Sequence, residues 1–304
     1  MEISGLLVKL RKDRGFSQEF LSKNITSRNS LIHYEKGKNN IPFNILIELL
    51  ERMNMSIDEF VFYLQKDSMR NNNEVAKKMI KNIRSGKHSR SHTLEKLRIK
   101  VEESHNIADI RNYLLVRVYD WFQRTPDDRK LNKKDESYFL ILSNYLEQVD
   151  EWGRFEMSTF SSLLFLFKTN YIQQRLNEIE KKIEKNGDFE IFHLILLGTY
   201  NNSILLMIER KELKLAKVCL GKLENLQRRT LFAQNMQIYF QFYSLLISYV
   251  ENSDLMKEQM KEYFKALKII GADEMVRAFM KDLSNVSRTY NLPNHFGIEE
   301  DLVK

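Results

Sequence analysis

Three prolines and ten glycines in 304 residues leave this chain almost nowhere to break a helix. Long side chains that lose little rotamer freedom in a helix, Leu, Lys and Glu among them, are abundant. The expected fold class is therefore all-α. At 43 % hydrophobic and 29 % charged residues the composition is that of an ordinary soluble globular protein. The length suits a small domain followed by a larger one.

The first 65 residues carry start and stop chemistry for five short helices. Ile3, Leu6, Leu7 and Leu10 fall at i, i+3, i+4 and i+7, which makes the first helix amphipathic, and Gly15 ends it. Ser17 is placed to cap "QEFLSK", and Ser27 to cap a third helix running to about Lys36, which Gly37 stops. Pro42 suits the first turn of "PFNILIELLERM", and Asn54 ends it. "SIDE", from Ser56 to Glu59, has capping-box form ahead of "FVFYL".

Helices two and three, joined by a tight turn, have the layout of a helix-turn-helix. On the third, Arg28, Asn29, Ile32 and His33 share one face, with Leu31 and Tyr34 behind. A helix presenting that face fits a DNA major groove. Arg can donate two bonds to guanine, Asn can pair with adenine, and an apolar side chain can touch the thymine methyl. Ser27 stands at the start of the same helix. Gln18 can reach a phosphate or a base edge. Lys36 and Lys38 suit backbone contacts that hold register without reading sequence. The charge agrees: of a net +7, residues 1–40 hold eight Lys/Arg against four Asp/Glu, and residues 66–100 hold eleven against three. Arg11 is either a solvated surface charge or the partner of Glu35.

A polar, asparagine-rich stretch, "QKDSMRNNNEVAKK", follows. The expected organisation is a DNA-binding domain over 1–65, a basic linker and connecting helix over 66–84, and a repeat domain over 85–304. Beyond the linker, amphipathic helices of about 12–20 residues alternate with short polar turns. "EWGRFE" and "KNGDFE" share Gly, Phe and Glu in register, with Gly153 and Gly187 34 residues apart, the period of tetratricopeptide helix pairs. Later turns drift from that spacing. The expectation is a tetratricopeptide-like right-handed α-solenoid; the alternative is an unrelated helical bundle.

"LRKDRGFSQEFLS … SRNSLIHYEKGK … ILIELLERMNMSIDEF" resembles the Xre/Cro type of helix-turn-helix. The usual Ala of helix two and Gly of the turn stand here as Ser22 and Asn24, and the turn is one residue longer. The resemblance implies a salt bridge between Arg11 and Glu35. Followed by a degenerate helical array to about 300 residues, the whole chain is similar to the Rgg/GadR/MutR regulators of Gram-positive bacteria. That likeness implies a cytoplasmic homodimer that binds double-stranded DNA at a pseudo-palindromic operator, with a short hydrophobic signalling peptide held in the concave face of the repeats.

In such a face, side-chain amides would bind peptide backbone and aromatic pockets would take peptide side chains. Asn201 and Asn235, also 34 residues apart, are the candidate amides at like positions of successive inner helices. Trp152, Tyr200, Tyr239 and Phe242 are the candidate pocket residues, and Arg154 could receive a carboxylate. Each aromatic has a plainer reading as core.

No enzyme, cofactor or metal is expected. No nucleophile elbow or glycine-rich phosphate loop occurs. His88 and His92 sit i, i+4 apart without a third ligand. The single cysteine, Cys219, lies in an apolar helical stretch and reads as a small hydrophobe. No apolar run approaches a membrane span and no signal peptide opens the chain, so a cytoplasmic protein without a membrane is expected. The leading reading is a peptide-controlled transcriptional regulator. The alternative keeps the helix-turn-helix and makes the repeats a protein-interaction scaffold with no peptide ligand.

Overall fold

The computed structural model describes residues 2–65, 72–87, 89–121, 129–186, 190–229 and 234–293. Within them every regular element is helical. The chain divides into two compact units, Met1–Lys78 and Met79–Lys304.

The first unit holds α1 (Ile3–Asp13), α2 (Gln18–Ser22), α3 (Arg28–Glu35), α4 (Phe43–Arg52) and α5 (Ile57–Gln65). Their inward positions form one core of Leu6, Leu7, Leu10, Leu21, Leu31, Leu49, Phe60 and neighbours. The helix ends follow from local chemistry. Gly15 and Gly37 take φ of +69° and +66°, a region a Cβ disfavours. Asn54 adopts φ +52° after α4, and the Ser56 hydroxyl accepts from the Glu59 amide at 3.1 Å. Pro42 is the N-cap of α4 rather than its first helical residue.

A connecting helix, α6 (Asn72–Arg84), crosses the boundary between the units, and its Met79, Ile80 and Ile83 pack on the core of the second. There follow α7 (Arg90–Ser104), α8 (Ile107–Trp121), α9 (Lys133–Gln148), α10 (Arg154–Ser162), a 3-10 turn (Leu164–Leu166) and α11 (Thr169–Asn186). Then come α12 (Glu190–Glu209), α13 (Leu213–Arg229), α14 (Gln234–Glu251), α15 (Ser253–Ile269) and α16 (Asp273–Tyr290). Most sequential helices pack on one another, from α7 to α9 and from α11 to α16, and α12 sits at the centre, touching α10, α11, α13, α14 and α16.

Residues Ile191–Glu209 of α12 are long and apolar enough to cross a membrane by length and composition, a feature that counting uninterrupted apolar residues overlooks. Contacts on five sides account for that composition: a helix apolar all round is a buried core helix. Cys219 is buried on α13, and burial pushes its thiol up to about 11, so it behaves as a hydrophobe.

Candidate functional sites: a base-reading helix and a polar groove

In the first unit two serine caps set the two helices of the motif. Ser17 Oγ accepts from the Phe20 amide at 3.0 Å, and Ser27 Oγ from the Ser30 amide at 3.0 Å. Between them the chain turns through Asn24 at φ +62°. Asn is among the few non-glycine residues that tolerate this conformation, which explains how it replaces glycine here. Ser22 is buried, with its hydroxyl turned back to the Glu19 carbonyl.

Long-range bonds then fix α3. Arg11 reaches Glu35 through Nε at 2.5 Å and Nη2 at 2.9 Å, and holds the Phe16 carbonyl at 2.8 Å. Both side chains are buried, and hydrogen bonding to Glu35 raises the Arg11 pKa. Gln18 Nε2 donates to the same carboxylate at 2.7 Å. This corrects the sequence reading of Gln18: its amide nitrogen braces α2 against α3 instead of standing free for DNA. Arg52 and Arg14 do related work that sequence inspection missed. Arg52 Nη1 bonds the Phe20, Leu21 and Lys23 carbonyls at the end of α2, and Arg14 Nε bonds the Met53 carbonyl at 2.9 Å.

With Leu31 and Glu35 buried, the opposite side of α3 faces outward. Arg28, Asn29 and His33 are exposed there; Ile32 is half-buried, so it is less prominent than its place on the face implied. At 100° per residue these four span about 140° of the helix circumference. Ser27 is exposed with its hydroxyl committed to the cap, and Lys36 and Lys38 are exposed just beyond the C-terminus. The result is a rigid helix with donors, an acceptor and positive charge on one accessible side.

In the second unit three of the proposed pocket aromatics are core, and are corrected accordingly. Trp152 donates from Nε1 to the Leu146 carbonyl at 2.9 Å, packs on Phe160 and carries the Arg175 guanidinium over its face. Tyr200 is buried with its hydroxyl on Glu180, and burial raises its pKa. Phe242 is fully buried and stacks on Phe279 at 4.0 Å between centroids. Tyr239 is half-buried and meets Phe279 edge-on; Arg154 is exposed at the start of α10; Asn201 is half-buried with an unbonded Oδ1. The side chain of Asn235 and the turn around Gly187 lie outside the described residues, as does His88. Asn201 is the twelfth residue of α12 and Asn235 the second of α14, so 34-residue spacing does not put them at like positions.

One pocket, of about 300 Å³, opens between α10 with its 3-10 turn, α12 and α16. Leu164, Phe165, Leu205, Leu206 and Ala278 form its apolar wall; its polar lining carries both signs of charge, with Arg129 and Lys281 beside Glu209 and Asp282, and amides from Asn202 and Asn285. Arg129 forks onto Glu209 at 2.9 and 3.4 Å. Asp282 is pushed up to about 7, by burial first and by the nearby Glu209 second. Among the described residues no group of three or more His, Cys, Asp or Glu is arranged to hold a metal ion.

Residues 64–281 match the family model described as the C-terminal domain of the HTH-type transcriptional regulator Rgg, and residues 7–60 match a helix-turn-helix model. Three solved structures are similar along almost the whole chain. One is a Listeria monocytogenes EGD-e protein assigned as a transcriptional regulator (TM-score 0.74, 20 % identity, 95 % of this chain and 98 % of that one). Another is the SHP pheromone receptor Rgg2 of Streptococcus dysgalactiae (0.67, 16 %, 93 % and 99 %). The third is PrgX in its complex with cCF10 (0.68, 15 %, 94 % and 92 %). At these identities the likeness establishes the fold. Among curated proteins no sequence matches the chain.

Proposed function

Because the chain belongs to the Rgg family of helix-turn-helix transcriptional regulators, we propose that α3 reads its operator and that a short peptide in the groove of the second unit controls it. The observation that carries the DNA half is the outward face of α3. Arg28 and Asn29 are exposed side by side with His33 one turn on, and a buried ion pair and the Ser27 cap hold the helix that bears them. Arg and Asn are the side chains that pair bidentately with guanine and adenine. Exposed Lys36 and Lys38 supply phosphate contacts. In a homodimer, two such helices about 34 Å apart meet successive half-sites of a pseudo-palindrome.

The peptide half rests on the groove between α10, α12 and α16, which combines an apolar wall with amides and carboxylates. Two of the similar folds are described as a pheromone receptor and as a complex with cCF10. A ligand that binds one arrangement of the dimer better than another shifts the protein, acting in the cytoplasm, between states of different DNA affinity.

Selection of duplexes from a randomised 30-base-pair pool by the full chain, followed by fluorescence anisotropy, tests the DNA reading. Arg28→Ala is expected to cost about 1–3 kcal/mol on the selected site and to relax preference at one position in each half-site. Lys38→Ala is expected to weaken selected and random DNA alike and to flatten the salt dependence by about one charge per protomer. Recovery of the same consensus with the same affinity by both variants would remove α3 as the reading element.

A further inference from the structure

Between Glu74 and Glu95 the chain carries Lys77, Lys78, Lys81, Arg84, Lys87 and Arg90, and not one Asp or Glu. All six are exposed. At 100° per residue, Lys77, Lys78, Lys81 and Arg84 cover about 120° of α6. Ala76, Met79, Ile80 and Ile83 cover about 100° of the opposite side, and of these Met79, Ile80 and Ile83 pack on the core of the second unit. The packed stripe therefore fixes which way the cations point. Gly86, at φ +69°, ends the helix, and the Gly86 and Lys87 amides bond the Ile83 and Asn82 carbonyls at 3.1 and 3.0 Å. That closed turn holds Lys87 just past the helix end.

Cations at the surface of other helices in the second unit are matched on their own helix. Arg98 is held by Glu95 and Glu102, Arg228 by Glu224, and Lys265 by Glu262. Alternating signs of that kind make an ordinary solvated face. Among the described residues no carboxylate lies on Lys78, Lys81, Arg84 or Lys87. Lys78 and Lys81, and Lys81 and Arg84, are instead i, i+3 neighbours of like sign, a small destabilisation that a polyanion relieves. The donors are three ammonium groups and one guanidinium on flexible stems, which suit phosphate oxygens rather than a pattern of base edges. Residues 66–71 alone join α5 to α6, so a duplex held by the first unit meets this strip at high effective concentration.

We propose that the exposed side of α6 and the turn after it bind duplex backbone outside the half-site that α3 reads, through Lys78, Lys81, Arg84 and Lys87. The contact carries no sequence information. It adds affinity and salt dependence, and it makes binding depend on how far the duplex extends beyond the operator. It rests on the DNA reading above, though not on which helix reads the bases.

The test measures fluorescence anisotropy of the full chain on two duplexes carrying the selected site, one with about 5 and one with about 20 flanking base pairs on each side. The parent is expected to bind the longer duplex about tenfold more tightly at low salt. The variant Lys78→Gln, Lys81→Gln, Arg84→Gln, Lys87→Gln is expected to lose that advantage and to select the same consensus. Its dependence of log K on log salt should be flatter by about two or more charges per protomer. The charge-keeping variant Lys78→Arg, Lys81→Arg, Arg84→Lys, Lys87→Arg should behave as the parent. An unchanged flank advantage and salt slope in the Gln variant overturns the assignment. So does an equal loss on both duplexes, which is a general effect of net charge. Unaltered DNA binding together with lost sedimentation on vesicles of about 30 % phosphatidylserine also overturns it, and gives the strip to an anionic membrane. A failure of α3 looks different: Arg28→Ala then leaves the consensus unchanged, while the flank advantage and its loss in the Gln variant persist.

Discussion

The buried bridge between α1 and α3 makes a prediction with a magnitude. Arg11→Met keeps most of the side-chain stem and deletes the guanidinium. The Glu35 carboxylate, 4 % exposed, then keeps only the Gln18 amide as a donor, and the Phe16 carbonyl loses its bond. Removing one member of a buried pair leaves an uncompensated charge and costs about 3–5 kcal/mol. Small domains have about 5–15 kcal/mol in total, and each kcal/mol moves the midpoint of a unit this small by about 4–8 °C. The first unit should therefore open by hundreds-fold or more at 25 °C while the second is untouched.

Hydrogen exchange of the full chain read by mass spectrometry separates the two. Peptides from residues 3–60 should lose protection by about 3–5 kcal/mol, and those from α12 and α14 should not change. The double variant Arg11→Met, Glu35→Leu removes both charges and should recover most of the loss, because an apolar pair of similar volume is often as stable as a buried ion pair. A cost below about 1 kcal/mol for Arg11→Met, or a double variant no better than the single, would refute the claim that charge burial governs this contact.

Two further outcomes follow from the second unit. Phe242→Ala should cost about 3–5 kcal/mol in urea unfolding, as for a fully buried aromatic stacked on another, and a cost near zero would restore Phe242 as a pocket residue. Asp282, facing Glu209 on α12, Arg129, Lys281 and Tyr243 on α14, has its folded pKa raised from 3.8 to about 7. The folded state then binds more protons than the unfolded one between those values, so its contribution to stability falls as pH rises through that window and levels off above it. Asp282→Asn should match the parent near pH 4 and exceed it by up to about 4 kcal/mol at pH 8; a pH-independent difference between the two would show that Asp282 is not the titrating group.

How much of this was readable beforehand depends on how far apart the interacting residues lie. Ser17, Ser27 and Ser56 cap within three residues, and Gly15 and Gly37 turn the chain on the spot, so their signals are local and plain. Arg11 and Glu35 are 24 residues apart, and only the family likeness picked out the pair from other surface-type charges. Arg52 and Arg14 bond carbonyls 29 to 39 residues away, and nothing in their local sequence separates them from solvated arginines. The 34-residue rule failed for a measurable reason. α12 and α13 run to 20 and 17 residues, longer than a regular repeat allows, so equal spacing from Asn201 lands ten positions earlier in α14.

The aromatic residues were misread through a different ambiguity. A Trp or Tyr suits a binding pocket because it joins a large apolar body to one polar atom, and it suits a core corner for the same reason. Composition cannot separate the two; only the partner of the polar atom can. Trp152 Nε1 is spent on Leu146 and the Tyr200 hydroxyl on Glu180, so both are closed internally. Asn201 shows the converse: it sits in "TYNNS" on an apolar helix, and its half-buried Oδ1 is without a partner among the described residues. Whether a polar atom is satisfied is decided by helices far along the chain, as the Trp152 carbonyl is by Lys182, 30 residues on, and the Thr169 hydroxyl by Arg210 and Glu212, 41 and 43 residues on. Satisfaction of polar atoms is therefore invisible to local pattern, and becomes visible only when the helices around them are in place.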